Sequence, residues 1–379
     1  MIYLDNSATT KPDPAVLKSF QQVSERFFAN PSSIHQLGGE AEQLLLKAKQ
    51  QCAQLLHVKP EEIIFTSGGT EGNNLAIKGI ALEHSRRGKH IITSAIEHSS
   101  VYETCKALET LGFRVTYLPV NEQGIISIHD LKQAITDDTI LISIMHVNNE
   151  LGSIQPIKQI GQIAQEHPKL YVHVDHVQGL GKVPLNFKEY GIDLCTMSGH
   201  KIHGLKGTGI LYVHERTQLF PLFHGGGQEG SYRSGTENLA GAVSLAKAIR
   251  LAKEKEQTKV PQMYVLHDRL RSELEKIEHI QVNTPVDAAP HIINFSVPGL
   301  KPEVIIHMLG EKDIYISTKS ACSSKQMNDN RILSACGHDE RRCQSALRIS
   351  LTYDTTKEQL QTFVHVLRDA INRLKEVME

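Results

Sequence analysis

From about residue 60 to residue 215, short apolar runs alternate with amphipathic helical stretches, and that alternation admits few folds. Glu62-Ile63-Ile64-Phe65-Thr66, Lys89–Thr93, Arg114–Leu118, Thr139–Ile144, Leu170–Asp175, Asp193–Ser198 and Gly209–Val213 all read as strands. Helical patterns such as Leu75–Arg86 and Ser100–Leu111 lie between most of them. The expected fold is α/β, with a large domain built on a mainly parallel seven-stranded sheet wrapped by helices. A segment of helical character with dense mixed charge, Asn238–Ile277, follows, its charges suited to a solvated face with ion pairs. Then come strands at Ile292–Val297, Ile314–Ser317 and Ala346–Leu351 and a closing amphipathic helix over Lys357–Val377. That makes a smaller α+β domain, with the N-terminal segment packed against it. The division expected is 16–255 for the large domain, and 1–15 with 256–379 for the small one.

A chain of 379 residues has room for two domains. Its formal net charge of −1 offers no basic field for nucleic acid or an anionic membrane. The start, Met1-Ile2-Tyr3-Leu4-Asp5-Asn6, has no basic and apolar leader, and no apolar run approaches a bilayer span. The cysteines at 52, 105, 195, 322, 336 and 343 form no C-x-x-C pair, which fits reduced thiols in a cytoplasmic protein.

The chemistry gathers where strands end, because ligands of open α/β sheets bind outside the carboxyl ends of the strands. Ser198-Gly199-His200-Lys201 closes one strand with a lysine at its mouth. Desolvation there favours a neutral amine, the nucleophile that forms a Schiff base with a carbonyl compound. The strand before it ends in Asp175. A Schiff-base lysine with an aspartate is the pairing pyridoxal phosphate requires, the carboxylate keeping the ring nitrogen protonated. Thr66-Ser67-Gly68-Gly69-Thr70-Glu71-Gly72-Asn73-Asn74 joins a strand to a helix and reads either as a phosphate cradle or as a tight turn. It lacks the Gly-Lys-Ser/Thr ending of a nucleotide loop. His98 follows another strand and can stack on a planar ring or move protons. Asn148-Asn149 and Gln178 bring amides to the same edge, so five strand ends converge on one cleft. Arg348, within a strand, suits a substrate carboxylate or a structural ion pair. Cys322 lies in the polar stretch Ser317–Met327, about 317–330 being a mobile loop, where two lysines favour its thiolate.

Together these motifs resemble the NifS/IscS family of cysteine desulfurases, within the class V pyridoxal-phosphate enzymes. The resemblance runs from Tyr3-Leu4-Asp5-Asn6-Ser7-Ala8-Thr9-Thr10 through Asn30-Pro31-Ser32-Ser33-Ile34-His35 and Arg233-Ser234-Gly235-Thr236-Glu237-Asn238 to Ser320-Ala321-Cys322. It implies a type I pyridoxal-phosphate transferase fold and conversion of L-cysteine to L-alanine with a persulfide on Cys322. It further implies that Lys201 carries the cofactor, Asp175 pairs with the ring nitrogen, Gln178 contacts the ring hydroxyl and His98 stacks on the ring. The phosphate would fall to Gly69, Thr70, Ser198 and His200, with Thr236 reaching it from the second subunit of a homodimer. Asn149 and Arg348 would hold the substrate carboxylate. The length of the cysteine loop is similar to that of members passing sulfur directly to an acceptor protein.

The chain departs from the family pattern at His176, beside Asp175, where a small residue is usual and an imidazole can crowd the cofactor or point away. Lys319 and Gly230 replace common glycine and arginine, Leu351-Thr352-Tyr353 replaces Leu-Gly, and the chain ends at Glu379 without the tail that docks an iron–sulfur scaffold. The acceptor expected is therefore a dedicated one such as a tRNA-thiolation enzyme, with the iron–sulfur scaffold as the other choice. Competing readings are a selenocysteine lyase or other class V enzyme, a catalytically weakened binding partner, and a metal site built on His173, Asp175 and His176 or on His200 and His203.

Overall fold

The computed structural model describes residues 1–318 and 331–378. Twelve strands are present among the described residues. They are β1 (Ile2–Tyr3), β2 (Ile63–Thr66), β3 (His90–Ser94), β4 (Arg114–Leu118), β5 (Thr139–Met145), β6 (Tyr171–Asp175), β7 (Leu194–Ser198), β8 (Gly209–Val213), β9 (Gln281–Val282), β10 (Ile292–Ser296), β11 (Ile314–Tyr315) and β12 (Ala346–Ser350). All seven strands expected between residues 60 and 215 join one sheet in the order β2-β8-β7-β6-β5-β3-β4. The pairs among β3 to β7 are parallel, and β8 runs antiparallel to both β2 and β7. Six strands thus point one way. Every residue of the central strands β3, β5, β7 and β8 is buried, because helices cover both faces.

The order of the strands decides where the site can be. The C-terminal ends of β2, β7, β6, β5 and β3 lie on one edge of the sheet, and each leads into a loop or helix start there. The helix after β2 spans Gly69–Glu83, beginning six residues before the expected Leu75. Its first turn is the glycine-rich run itself.

A second apolar core lies around β10, β12 and the closing helix Lys357–Met378, joined by Leu4. Strands β12, β10 and β9 form an antiparallel sheet, while β1 pairs in parallel with β11. One 37-residue helix, Leu239–Glu275, serves both cores. Leu245, Ala246, Ala248, Ile249 and Ala252 pack into the large-sheet core, and Val260, Met263, Leu266, Leu270 and Leu274 into the second. Pro261 sits just past the changeover. The segment after β1 is a second tie: Ser350 N–H donates to Leu4 O at 2.6 Å, and Thr10 N–H to His200 O at 2.9 Å. No helix among the described residues is long and apolar enough to cross a membrane.

Candidate active site

The strand ends and the N-terminal segment line a cleft with about 720 Å3 of free space, part of it open solvent. Ten of the residues singled out from sequence line it: Gly69, Thr70, His98, Asn149, Asp175, Gln178, Ser198, His200, Lys201 and Arg348. Thr236 does not line it and is exposed. Cys322 and Lys319 lie outside the described residues.

At the end of β2 the chain must turn sharply into a helix. Gly68 takes φ +147°, a conformation closed to L side chains, and a Cβ on Gly69 would sit 2.9 Å from Val177 Cγ2. No side chain caps the helix that starts at Gly69, and Gly69 and Thr70 of its first turn line the cleft. Ser198 Oγ is buried beside this turn without a hydrogen-bond partner. Glu71 holds the turn: its carboxylate accepts from Ser67 N–H at 2.9 Å and pairs with Arg233 at 2.9 Å. Burial pushes the Glu71 pKa up, but the hydrogen bonds and charge of Ser67 and Arg233 outweigh it and leave it lowered.

Asp175 ends β6 with both carboxylate oxygens engaged. Val177 N–H donates to Oδ1 at 3.0 Å and Asn73 Nδ2 to Oδ2 at 2.8 Å. Lys201, after β7, donates from Nζ to the carbonyls of Ser7 and Ala8. Gln178 Nε2 donates to the same Ser7 carbonyl at 3.0 Å. His200 is held at Thr9 Oγ1, and burial together with the charge of Lys201 drops its pKa to about 4, so its ring is neutral. His98 is the N-cap of the helix Ser99–Thr110. Of the two asparagines after β5, Asn148 is structural, its Oδ1 accepting from Glu150 and Leu151 N–H. Asn149 lines the cleft with Oδ1 buried and unpartnered.

Arg348 on β12 is 1% exposed. The ion pair is present, to Asp5 at 3.0 Å; Arg348 also donates to Asn149 O at 2.9 Å and lines the cleft with Nε unpartnered. Ser317 is bonded through its backbone to Arg348 in both directions. Arg331 donates to the carbonyls of Ala95 and Glu97 next to His98. Ser317 and Arg331, on either side of 319–330, are thus bonded to the cleft residue Arg348 and to Glu97, the neighbour of His98.

His176 points away from the cleft. Its Nδ1 lies 2.9 Å from His146 Nδ1 and its ring meets Phe187 edge-on. His173 bonds Ser143 and Thr196, and His203 bonds Lys11 O and Thr352. The histidines considered as metal ligands thus face separate surroundings, and no group of three candidate ligands exists among the described residues. Gly230 occupies a left-handed turn at φ +64°.

Sequence reasoning missed several contributors. Asn73 and Ser100 line the cleft, Ser7 and Ala8 offer it backbone carbonyls, and buried Lys182 donates from Nζ to Lys201 O at 3.0 Å. Asn73 and Ser100 sit within the first five residues of helices that open at the cleft, a positional signal present in the sequence. The carbonyls of Ser7 and Ala8 leave no such trace, because any residue supplies them.

A model of the aminotransferase class-V family matches residues 2–363. Cysteine desulfurase IscS of Dictyoglomus turgidum is 43% identical over 99% of this chain and 96% of its own. Among solved structures, a NifS-like protein superposes with a TM-score of 0.92 at 36% identity, covering 98% of this chain and 99% of that one. SspA in complex with cysteine gives a TM-score of 0.80 at 35% identity, covering 93% and 99%. With so much of its length matched, and with the strand-end cleft in place, the chain belongs to the aminotransferase class-V family.

Proposed function

We infer that this protein is a pyridoxal-phosphate-dependent cysteine desulfurase that converts L-cysteine to L-alanine and delivers the sulfur as a persulfide on Cys322. The observation that carries this reading is the meeting of Lys201, Asp175, His98 and a glycine-turned helix N-terminus in one cleft. The cleft fits the cofactor on its own terms. The unpartnered Ser198 Oγ and uncapped helix start suit a phosphate, and a carboxylate at the floor suits a ring nitrogen.

In this reading Gly69, Thr70, Ser198 and His200 hold the phosphate, with Thr236 from a second subunit. Asp175 would keep a proton at the ring nitrogen, Gln178 would meet the ring hydroxyl and His98 would cover the ring face. When bound, pyridoxal phosphate supplies an aldehyde that bonds to amines and a ring that stores a carbanion's electrons. Lys201 Nζ would be the covalent anchor of the cofactor and the amine placed to take the proton from the substrate's α-carbon. Arg348 and Asn149 hold the substrate carboxylate, Arg348 being kept in place by Asp5. The Cys322 thiolate attacks the substrate sulfur. A sulfur–sulfur bond forms, and the carbon–sulfur bond breaks with its electron pair going to carbon, which takes up a proton to leave alanine.

Residues 16–255 then carry the cofactor, and 1–15 with 256–379 carry Arg348 and the cysteine segment. Exposed Phe28, Ile34 and Leu37 support a homodimer that covers them. Five cysteines among the described residues are buried and free, which supports a cytoplasmic protein, and the acceptor is a tRNA-thiolation enzyme or an iron–sulfur scaffold. Alanine release from cysteine tests the activity: it is expected in the parent and lost in Lys201→Ala. Cys322→Ser is expected to carry no persulfide, and full persulfide yield from that variant overturns the role of Cys322.

A further inference from the structure

His98 is held by atoms that decide where its ring proton sits. The backbone N–H of Ser100 donates to Nδ1 at 3.2 Å, closing the N-cap of the helix Ser99–Thr110. A backbone N–H can only donate, so Nδ1 must be the bare, accepting nitrogen. The Ser100 hydroxyl lies 2.8 Å from the same Nδ1. Its direction is set from behind. Asn73 Nδ2 is 2.8 Å from both Asp175 Oδ2 and Ser100 Oγ. A carboxylate accepts, so the amide nitrogen of Asn73 faces Asp175 and spends its second proton on Ser100 Oγ. Ser100 then turns its own proton to Nδ1.

We propose that Asn73 and Ser100 are positioning residues that link Asp175 to His98 and hold the imidazole with its proton on Nε2. This rests on the desulfurase reading, in which His98 covers the cofactor ring. With Nδ1 committed to two donors, Nε2 is the atom left for a bound molecule, and there it gives a hydrogen bond rather than takes one. His98 therefore does not compete with Lys201 as the base for the substrate's α-proton. Protonating the ring requires a proton on Nδ1, directly against the fixed N–H of Ser100. The charged neighbours agree in sign. Burial lowers the His98 pKa, Asp175 opposes this, and Lys201, Arg331 and Arg348 add to it. The neighbouring His200 ring is neutral.

Neutron diffraction from holoenzyme crystals exchanged into heavy water near neutral pH reads the ring directly. A deuteron on Nε2 and none on Nδ1 is expected, and a deuteron on Nδ1 overturns the proposal. Ser100→Ala is expected to lower kcat roughly ten-fold with little change in KM for cysteine, while Ser100→Thr, which keeps the hydroxyl, restores it. No loss in Ser100→Ala, or equal loss in both variants, overturns the role of Ser100. Holoenzyme that carries the deuteron on Nε2 yet forms no alanine from cysteine upholds the tautomer and removes the desulfurase reading instead.

Discussion

Lys182 and Glu97 are buried ionisable groups near the cleft whose pKa shifts act on stability in opposite directions. Burial, with the charge of Lys201, lowers the Lys182 amine from 10.5 to about 7. Between those values the unfolded chain binds a proton that the folded protein does not, so this group makes stability rise with pH. Burial raises Glu97 from 4.5 to about 8, against the hydrogen bonds it accepts from Ser94 and Met145. Between 4.5 and 8 the folded protein keeps a proton the unfolded chain has lost, and stability falls as pH rises. Urea midpoints measured from about pH 5 to about pH 10 check both. Lys182→Met is expected to flatten the rise above about pH 7, and Glu97→Gln to flatten the fall below about pH 8. Neither residue drew notice in the sequence, whereas Lys201 and Asp175 did. Asp175 ends β6 and Lys201 follows β7 by three residues; Lys182 and Glu97 matter only through atoms that the fold brings to them.

At the scale of elements, the seven large-sheet strands were legible because strands buried on both faces read as short apolar runs. The reversal of β8 was not, since direction leaves no mark on composition. The helix Leu239–Glu275 was legible as a charged helical segment, but its role in two cores was not. Its Pro261 is exposed and has no N–H for the carbonyl of Gln257. Pro261→Ala restores that bond without touching either core. It is expected to stabilise the protein by about 1–2 kcal/mol in urea unfolding, the helical gain less the entropy returned to the unfolded chain.

Over the whole molecule, the two cores are tied by the N-terminal segment, the long helix and the residues after β12. There the departure Leu351-Thr352-Tyr353 finds its reason. Tyr353 OH donates to Gly181 O at 2.6 Å, and His203 Nε2 lies 2.7 Å from Thr352 Oγ1. Gly181 leaves room for the phenol, since a Cβ there would sit 2.7 Å from the Tyr353 oxygen. Tyr353→Phe strands a carbonyl in a buried place and is expected to cost about 1–2 kcal/mol, read as a lower urea midpoint with an unchanged slope.

The seven strands and ten of the cleft's residues were legible in the sequence, because apolar periodicity and turn residues are local signals, whereas Asn73 and Ser100 went unmarked. Lys201, Asp175, His98 and Gly69 stood out for the same reason, each lying at a strand's last residue or within four residues beyond it. What came from folding is that Arg348 is shared between Asp5 and the cleft, that His176 turns to His146, and that Asn73 and Ser100 join Asp175 to His98. Those outcomes depend on hydrogen-bond directions between residues as far apart as Asp5 and Arg348, and direction exists only once the chain has folded.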